Sequence, residues 1–584
     1  MKAFKIILSL VLSSSLLFSC LDTDLEEAVE KDDFYQNLDD ADAAILGLYS
    51  KVQDLAAPLV VLNELRGDLM DVTSNASDDL MEISLHKPGK DNEWANVLQF
   101  YSVIQYCNDI LYNFDKMKKE NKLTLEEYNE RYSDVGAIRS WIYYQLGVHY
   151  NKIPYITYPV SSVDDMVNNT GKMMEVGELV DSLILFMEGL PTLEDYADSK
   201  LITGSVPNTS PSFTLVPFFI NKKCLLGDLY LFNDKFEDAA RTYREVMAIT
   251  EDADATGNNE KYRVRTYTYT GGNPTWFQII YARNLDEDAS SLINAWKNMF
   301  SLPADDRYAK NEMIWEMTFD YKYAPTYPFV ELFANYGKGK YLLKPSVYAV
   351  NEFWGGEAQK NQIPYDARGI SGGISETSQG EYIIAKYLTD YKVDKPFEQQ
   401  GKWFLYRAAL LHLRYAEAVN RIGYYKLASA FLNNGIASTF TWTPNDGRDA
   451  YRADSIQVSG WGPGKPYPAP FYFDARMSNQ PSLRAPWRDH GGVRNRANLP
   501  AVVIPASDSL HFIEKKLVKE AGLELGFEGH RWIDLIRIAR RLEKENSGSG
   551  SDFLREVMTR KYELSGQTAP NFSDPDKWYL NFYN

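Results

Sequence analysis

Helical periodicity dominates the chain from Phe34 onward. Apolar residues recur every three or four positions over about 41–53, over 94–114 (Val97, Tyr101, Ile104, Ile110) and over 135–150 (Ile138, Ile142, Leu146), where Pro154 closes the pattern off. Each run predicts a helix with one buried face. Two later segments agree at fixed offsets: Gly227, Phe236 and Ala239 in one, Ala416, Tyr425 and Ala428 in the other. In both, a small residue precedes a bend, Asn233-Asp234 or Ile422-Gly423, and an aromatic and a small residue follow it. Small residues let paired helices approach and the aromatic fills the wedge, which is tetratricopeptide-like spacing. Between the helices lie irregular stretches, about 250–303, 320–394 and 439–500, rich in Gly, Pro, Tyr and Trp. Loops this long in a compact protein are usually functional or built by insertion.

The first twenty residues change the picture. Lys2 and Lys5 precede a short apolar run, 6–12, and then Leu17-Phe18-Ser19-Cys20. That order predicts a secretory signal peptide over 1–19, since the apolar core is too short to span a bilayer. A cysteine after a small residue predicts lipidation at Cys20, where two or more acyl chains would give stable anchoring. Phe18 departs from the small residue usual there. Residues 20–33 are densely acidic and read as a solvated tether. No later stretch is apolar enough to span a membrane. Residues 34–584 are expected to form a single unit: helical repeats over about 34–250 and 400–437, C-terminal helices over about 511–545, and an irregular ligand-binding lobe over about 251–399 and 438–510.

Charge and composition narrow the function. The formal charge is −18, and −20 without Lys2 and Lys5, so the surface repels nucleic acid and anionic lipid. Besides Cys20 only Cys107 and Cys224 remain, both on helix-like segments, so buried thiols are expected and not a disulfide framework. The six scattered histidines show no zinc-like spacing, and no metal or cofactor is expected. Forty tyrosines and twelve tryptophans are an unusual aromatic load for an acidic chain; much of it must be core, but flat amphipathic rings are also what sugar faces stack on.

The strongest motif runs over 520–541. Glu520, Glu524 and Glu528 recur every four residues on one helix face, Gly529 breaks the helix, and Arg531, Arg537 and Arg541 follow. Like charges at this spacing destabilise a helix. The carboxylates are therefore expected to pair with these arginines in a structural lattice, which leaves them poor general acids. This stretch, Glu520-Ala521-Gly522-Leu523-Glu524-Leu525-Gly526-Phe527-Glu528-Gly529-His530-Arg531-Trp532-Ile533-Asp534-Leu535-Ile536-Arg537, closely resembles the C-terminal signature of the SusD/RagB family of Bacteroidota surface glycan-binding lipoproteins. Trp94, Tyr101, Ile104, Cys107 and Asn108, then Tyr150 to Tyr155, are similar to its first repeats. Glu312 to Glu316, Pro345-Ser346 and Asp366-Ala367-Arg368 are similar to its middle landmarks, and 406–436 to its last repeat. Asn151 stands where glycine is commoner, and Trp578-Tyr579-Leu580 lacks the usual proline-rich ending. The resemblance implies a mainly α fold, a tetratricopeptide-like superhelix of about four helix pairs capped by a loop-rich lobe. It implies an outer-membrane, cell-surface role delivering glycan to a SusC-like TonB-dependent transporter.

Sugar binding needs loop aromatics beside acids, amides or arginine. Asp91, Asn92 and Trp94 follow a Pro-Gly turn, and Trp276 follows Gly271-Gly272-Asn273-Pro274. Tyr323 and Tyr327 flank Pro325, and Trp354 precedes Gly355-Gly356. Arg368 could donate to hydroxyls or else pair with Asp366, and Asp68 and Asp71 form an acidic turn. Two other readings stay open: peptide uptake on the same fold, and a surface glycoside hydrolase. The hydrolase is disfavoured because no acid cluster sits on a strand-like scaffold, so no catalytic residue is assigned and the chain is read as a binding protein, not an enzyme.

Overall fold

The computed structural model describes residues 34–160, 171–196, 216–249, 261–268, 275–277, 289–302, 309–440, 470–475 and 485–582. Cys20 and the rest of 1–33 lie outside the described residues, as does most of 441–484.

The principal helices are α1 (Leu38–Asp54), α2 (Val97–Lys119), α3 (Leu125–Tyr150), α4 (Val176–Glu188), α5 (Lys222–Phe232) and α6 (Phe236–Ala248). The later ones are α7 (Ala408–Arg421), α8 (Tyr425–Leu432), α9 (Ser509–Leu525), α10 (Arg531–Glu545) and α11 (Ser549–Ser565). Local chemistry sets their starts. Asn37 and Thr124 each close a capping box, with Asp40 and Glu127 returning the bond, which satisfies orphan N–H groups at the first turn. Four pairs form, α2 on α3, α5 on α6, α7 on α8 and α10 on α11, and α6 against α7 joins the repeats. The fold is mainly α and tetratricopeptide-like, as the periodicity predicts.

The bends follow their sequences. Asp234 and Gly423 both take positive φ, 62° and 92°, at the turns between paired helices. Gly227 is needed for a different reason: a Cβ there would run into the Tyr243 ring of α6. The first helix is longer than expected from periodicity by three residues at its start, because Asn37 caps it from outside the apolar run. The second helix begins later, at Val97, since Asn92 caps a short 3₁₀ turn, Glu93–Ala95, that holds Trp94 outside it.

Strands are few and serve as ties. Met313–Phe319 pairs antiparallel with Gly401–Arg407, the second strand leading directly into α7. Trp315 and Trp403 from this pair pack on Trp141 of α3, with ring centroids 4.9 and 6.1 Å away. Met70–Val72 pairs with Leu343–Pro345 and so fastens the N-terminal region to the middle lobe. Cys107 and Cys224 are buried and free. No single described helix is long and apolar enough to cross a membrane.

Candidate binding surface

The carboxylate ladder of α9 fixes what lies around it. Glu520 accepts from Arg368 and Arg494, both at 2.7 Å. Glu524 accepts from Arg368 at 2.8 Å, Arg407 at 2.6 Å and Arg496 at 2.7 Å. Glu528 accepts from Lys386 and Arg407, each at 2.8 Å. Glu312 joins through Arg407 and Arg496. The expected partners are therefore corrected: Arg531 pairs with Asp68, Arg537 with Glu417 and Asp534, and Arg541 with Glu417, Glu514 and Asp234. The reason is geometric. After Gly529 the chain turns so that the α10 arginines meet Asp68, Glu417 of α7 and, at the far end of α9, Glu514, while the ladder carboxylates face residues from three other parts of the chain.

Burial alone would raise the Glu524 carboxyl, but Arg496, Arg407 and Arg368 hold it well below the usual carboxylate range. Glu528 is likewise held down, by Arg407 and Lys386 against its burial. Glu64 completes the interior. Its carboxylate accepts backbone N–H groups of Phe527, Gly529, His530 and Arg531 at the start of α10, at 2.7 to 3.3 Å. Burial nevertheless raises it to about 7. The ladder carboxylates Glu524 and Glu528, paired and held low, are poor general acids.

Several sequence candidates fall within this interior, so they are corrected from ligand contact to scaffold. Arg368 is buried and divided among Asp366, Glu520 and Glu524. Asp68 holds Arg531 through both oxygens, at 2.6 and 2.8 Å. Asp71 is buried in the strand Met70–Val72. Tyr327 is buried and donates to the carbonyls of Tyr387 and Lys402. Trp354 is buried against Phe527, with its Nε1 donating to the Leu523 carbonyl. Asn92 is buried as well, and its amide donates to the Asp79 carbonyl and the Glu82 carboxylate. In each case the polar end meets a fixed partner inside, which no sequence spacing discloses.

The remaining candidates lie elsewhere. Asp91 is exposed, and Trp94 is half-buried with its Nε1 enclosed and without a hydrogen-bond partner. Trp276 lies in the strand Thr275–Phe277, paired with Thr266–Thr268, and its side chain lies outside the described residues. Tyr323 stands out at 64% exposed, on a turn closed by its own N–H to the Asp320 carbonyl. Tyr321 beside it is 43% exposed.

Phe397 and Val393, missed in the sequence, join them at 76% and 66% exposed. Lys395, paired with Glu398, lies within electrostatic reach of Tyr321. The Lys338 ammonium sits 4.3 Å over the Phe397 ring. Beneath, the Tyr391 hydroxyl accepts from the Lys338 N–H at 2.7 Å and donates to the Pro396 carbonyl at 3.3 Å. Tyr391 also stacks on Tyr336 at 5.6 Å. Gly337 has φ 63°, and a Cβ there would strike the Tyr391 hydroxyl. A proline-flanked aromatic among alternating charges, 392–398, was the signal available in the sequence. Among the described residues no group of three or more His, Cys, Asp and Glu could hold a metal ion.

Comparison with known proteins agrees with this architecture. Residues 491–580 match the sequence profile of the SusD family (SusD_RagB). A SusD superfamily protein from Bacteroides thetaiotaomicron VPI-5482 superposes with a TM-score of 0.56 at 15% identity, over 94% of this chain and 95% of that one. A surface glycan-binding protein A from Bacteroides uniformis gives 0.55 at 14% identity, over 92% and 95%. A SusD superfamily protein from Bacteroides vulgatus ATCC 8482 gives 0.54 at 14%, over 93% and 96%. At these identities the likeness is one of fold. No curated protein matches the chain by sequence.

Proposed function

This chain belongs to the SusD/RagB family, and from that premise we propose that it captures carbohydrate at the cell surface and passes it to a TonB-dependent outer-membrane transporter. The observation that carries the reading is the exposed group Tyr321, Tyr323, Val393 and Phe397, on two loops of which one, through Lys395, lies within electrostatic reach of Tyr321 on the other. Rings with this exposure contribute little to the fold, and they offer flat apolar faces to a sugar while leaving its hydroxyls in water. Lys338 and Lys322 supply donors at the rim, stacked over Phe397 and Tyr321. Trp276 remains a further stacking candidate on the neighbouring insertion, and Trp94 and Asp91 line another loop. Anchoring through a lipid on Cys20 belongs to the same proposal and rests on Ser19-Cys20.

Binding of purified protein to a panel of neutral and charged polysaccharides, followed by calorimetry, tests this. Tyr323→Ala and Phe397→Ala should each weaken glycan binding by about 1–3 kcal/mol, taking base–aromatic stacking as the analogue. Their melting temperatures should stay with the parent. Retention of peptides in place of glycans, or unchanged glycan affinity in both variants, would overturn it.

A further inference from the structure

The buried arginines described so far are each shared among several acceptors. Arg540 of α10 is different. Its guanidinium lies 4.5 Å over the Phe232 ring, yet it has neither a hydrogen bond nor an ion pair with any described residue, and its Nη1 is enclosed without a partner. Next to it in sequence, Arg541 is saturated by Glu417, Glu514 and Asp234. That nitrogen is closed to a ligand, but the rest of the guanidinium borders a cleft and is also without a hydrogen bond, which leaves it for an acceptor arriving from outside.

Arg540 lines a cleft of about 280 Å³ together with Asn151, Lys152, Met173, Glu175 and Glu178. That size lies near the lower end for small-ligand sites, roughly 300 Å³ upward. Lys152, on the strand Lys152–Tyr155, makes no ion pair; Glu178 is already engaged by Lys172, while Glu175 makes none. The uncommitted side-chain charges facing the cleft are thus two cations and one anion, on a molecule of formal charge −18. Asn151 borders it with φ 58°, which commits the backbone at the α3 terminus to this shape.

We propose that this cleft binds a compact carboxylate: Arg540 and Lys152 take the carboxylate oxygens, and Glu175 accepts from a hydroxyl or ammonium next to it. A uronic acid and the carboxyl end of an amino acid share that chemistry. The site shares no residue with the aromatic loops, so it stands or falls independently of the glycan-binding reading.

Isothermal titration of the full chain with D-glucuronate, L-alanine and neutral D-glucose tests the proposal. At least one of the two acids should bind saturably and glucose should not; which acid binds identifies the source of the carboxylate. Arg540→Gln should weaken that binding by about tenfold or more, the loss of a charge-assisted pair. Arg540→Lys should restore part of it, and Tyr323→Ala should leave it unchanged. Lys152→Gln, at an exposed position, should weaken it in the same direction and serves if Arg540→Gln lowers stability. Absence of saturable binding by either acid, or equal affinity in Arg540→Gln and Lys152→Gln, would overturn the assignment.

Discussion

Single residues divide sharply between those that hold the fold and those free to meet a ligand. Arg407 bonds Glu312, Glu524 and Glu528 at once, entirely inside the protein. Arg407→Ala should therefore cost on the order of 3–5 kcal/mol, since it leaves buried carboxylates uncompensated. Chemical denaturation would check the figure; a change below about 1 kcal/mol would mean the lattice is redundant, as exposed pairs are. Arg368→Ala should behave alike. If it instead kept its stability and lost the glycan, Arg368 would be a ligand residue after all. The sequence could not separate these cases. Arg368 beside Asp366 reads equally as a donor to sugar or as half of an ion pair, and only the arrival of Glu520 and Glu524 from more than a hundred residues away decides it. Tyr323 and Tyr327 flank the same proline and look alike in sequence, yet one ring faces water and the other the core.

Helix pairs were the most legible elements, because their signal is local. Periodicity located α1 to α3 to within a few residues at most ends, the start of α3 excepted, and the shared offsets around Gly227 and Ala416 located two of the four pairs. Gly227→Ala tests the packing behind that spacing. The added methyl meets the Tyr243 ring, whose hydroxyl is itself held by Asp228 at 2.5 Å, so the ring cannot easily retreat. Overpacking of this kind should cost about 1–3 kcal/mol. A melting curve that does not move would show that α5 and α6 can separate freely. Ladder pairing was less legible: the need for neutralisation follows from three glutamates on one face, but the identity of the cations depends on where α10 turns. Loop surfaces were least legible, since an aromatic in a loop carries no periodicity to say which way it points.

Across the whole molecule, buried titratable groups set the response to acid. His86, His149, His412, His490 and His530 are all held below the usual imidazole range, by burial first; His412 and His530 fall to about 3. The unfolded chain takes up those protons near 6.5 while the folded chain resists, so stability from these groups is lost as pH falls. Glu64 and Glu417, raised by burial to about 7, act oppositely, their contribution growing as pH falls toward 4.5 and then levelling off. Below 4.5 the depressed Glu524 and Glu528 add to the histidines, and every one of these terms now points toward unfolding. The five histidines outnumber the two glutamates, so urea midpoints should fall from pH 7 to 5 and fall more steeply from 4.5 to 3.5, where nothing in this set opposes the loss. A flat profile over that lower interval would contradict the neutral histidines and ionised ladder together. At the same scale, Cys20→Ala should release the protein from membranes, and a variant still processed and membrane-bound would remove Cys20 as the anchor.

The ladder also governs the order in which the chain can become itself. Glu312, Asp366, Arg368, Lys386, Arg407, Arg494 and Arg496 all precede the ladder carboxylates Glu520, Glu524 and Glu528 along the polypeptide. Until those emerge from the ribosome, four arginines have only part of their acceptors, and Lys386 lacks its carboxylate. A nascent chain is thereby kept from closing its core prematurely. Removing the segment after Lys519 should leave a chain open to proteases along its whole length, not a shortened but compact protein.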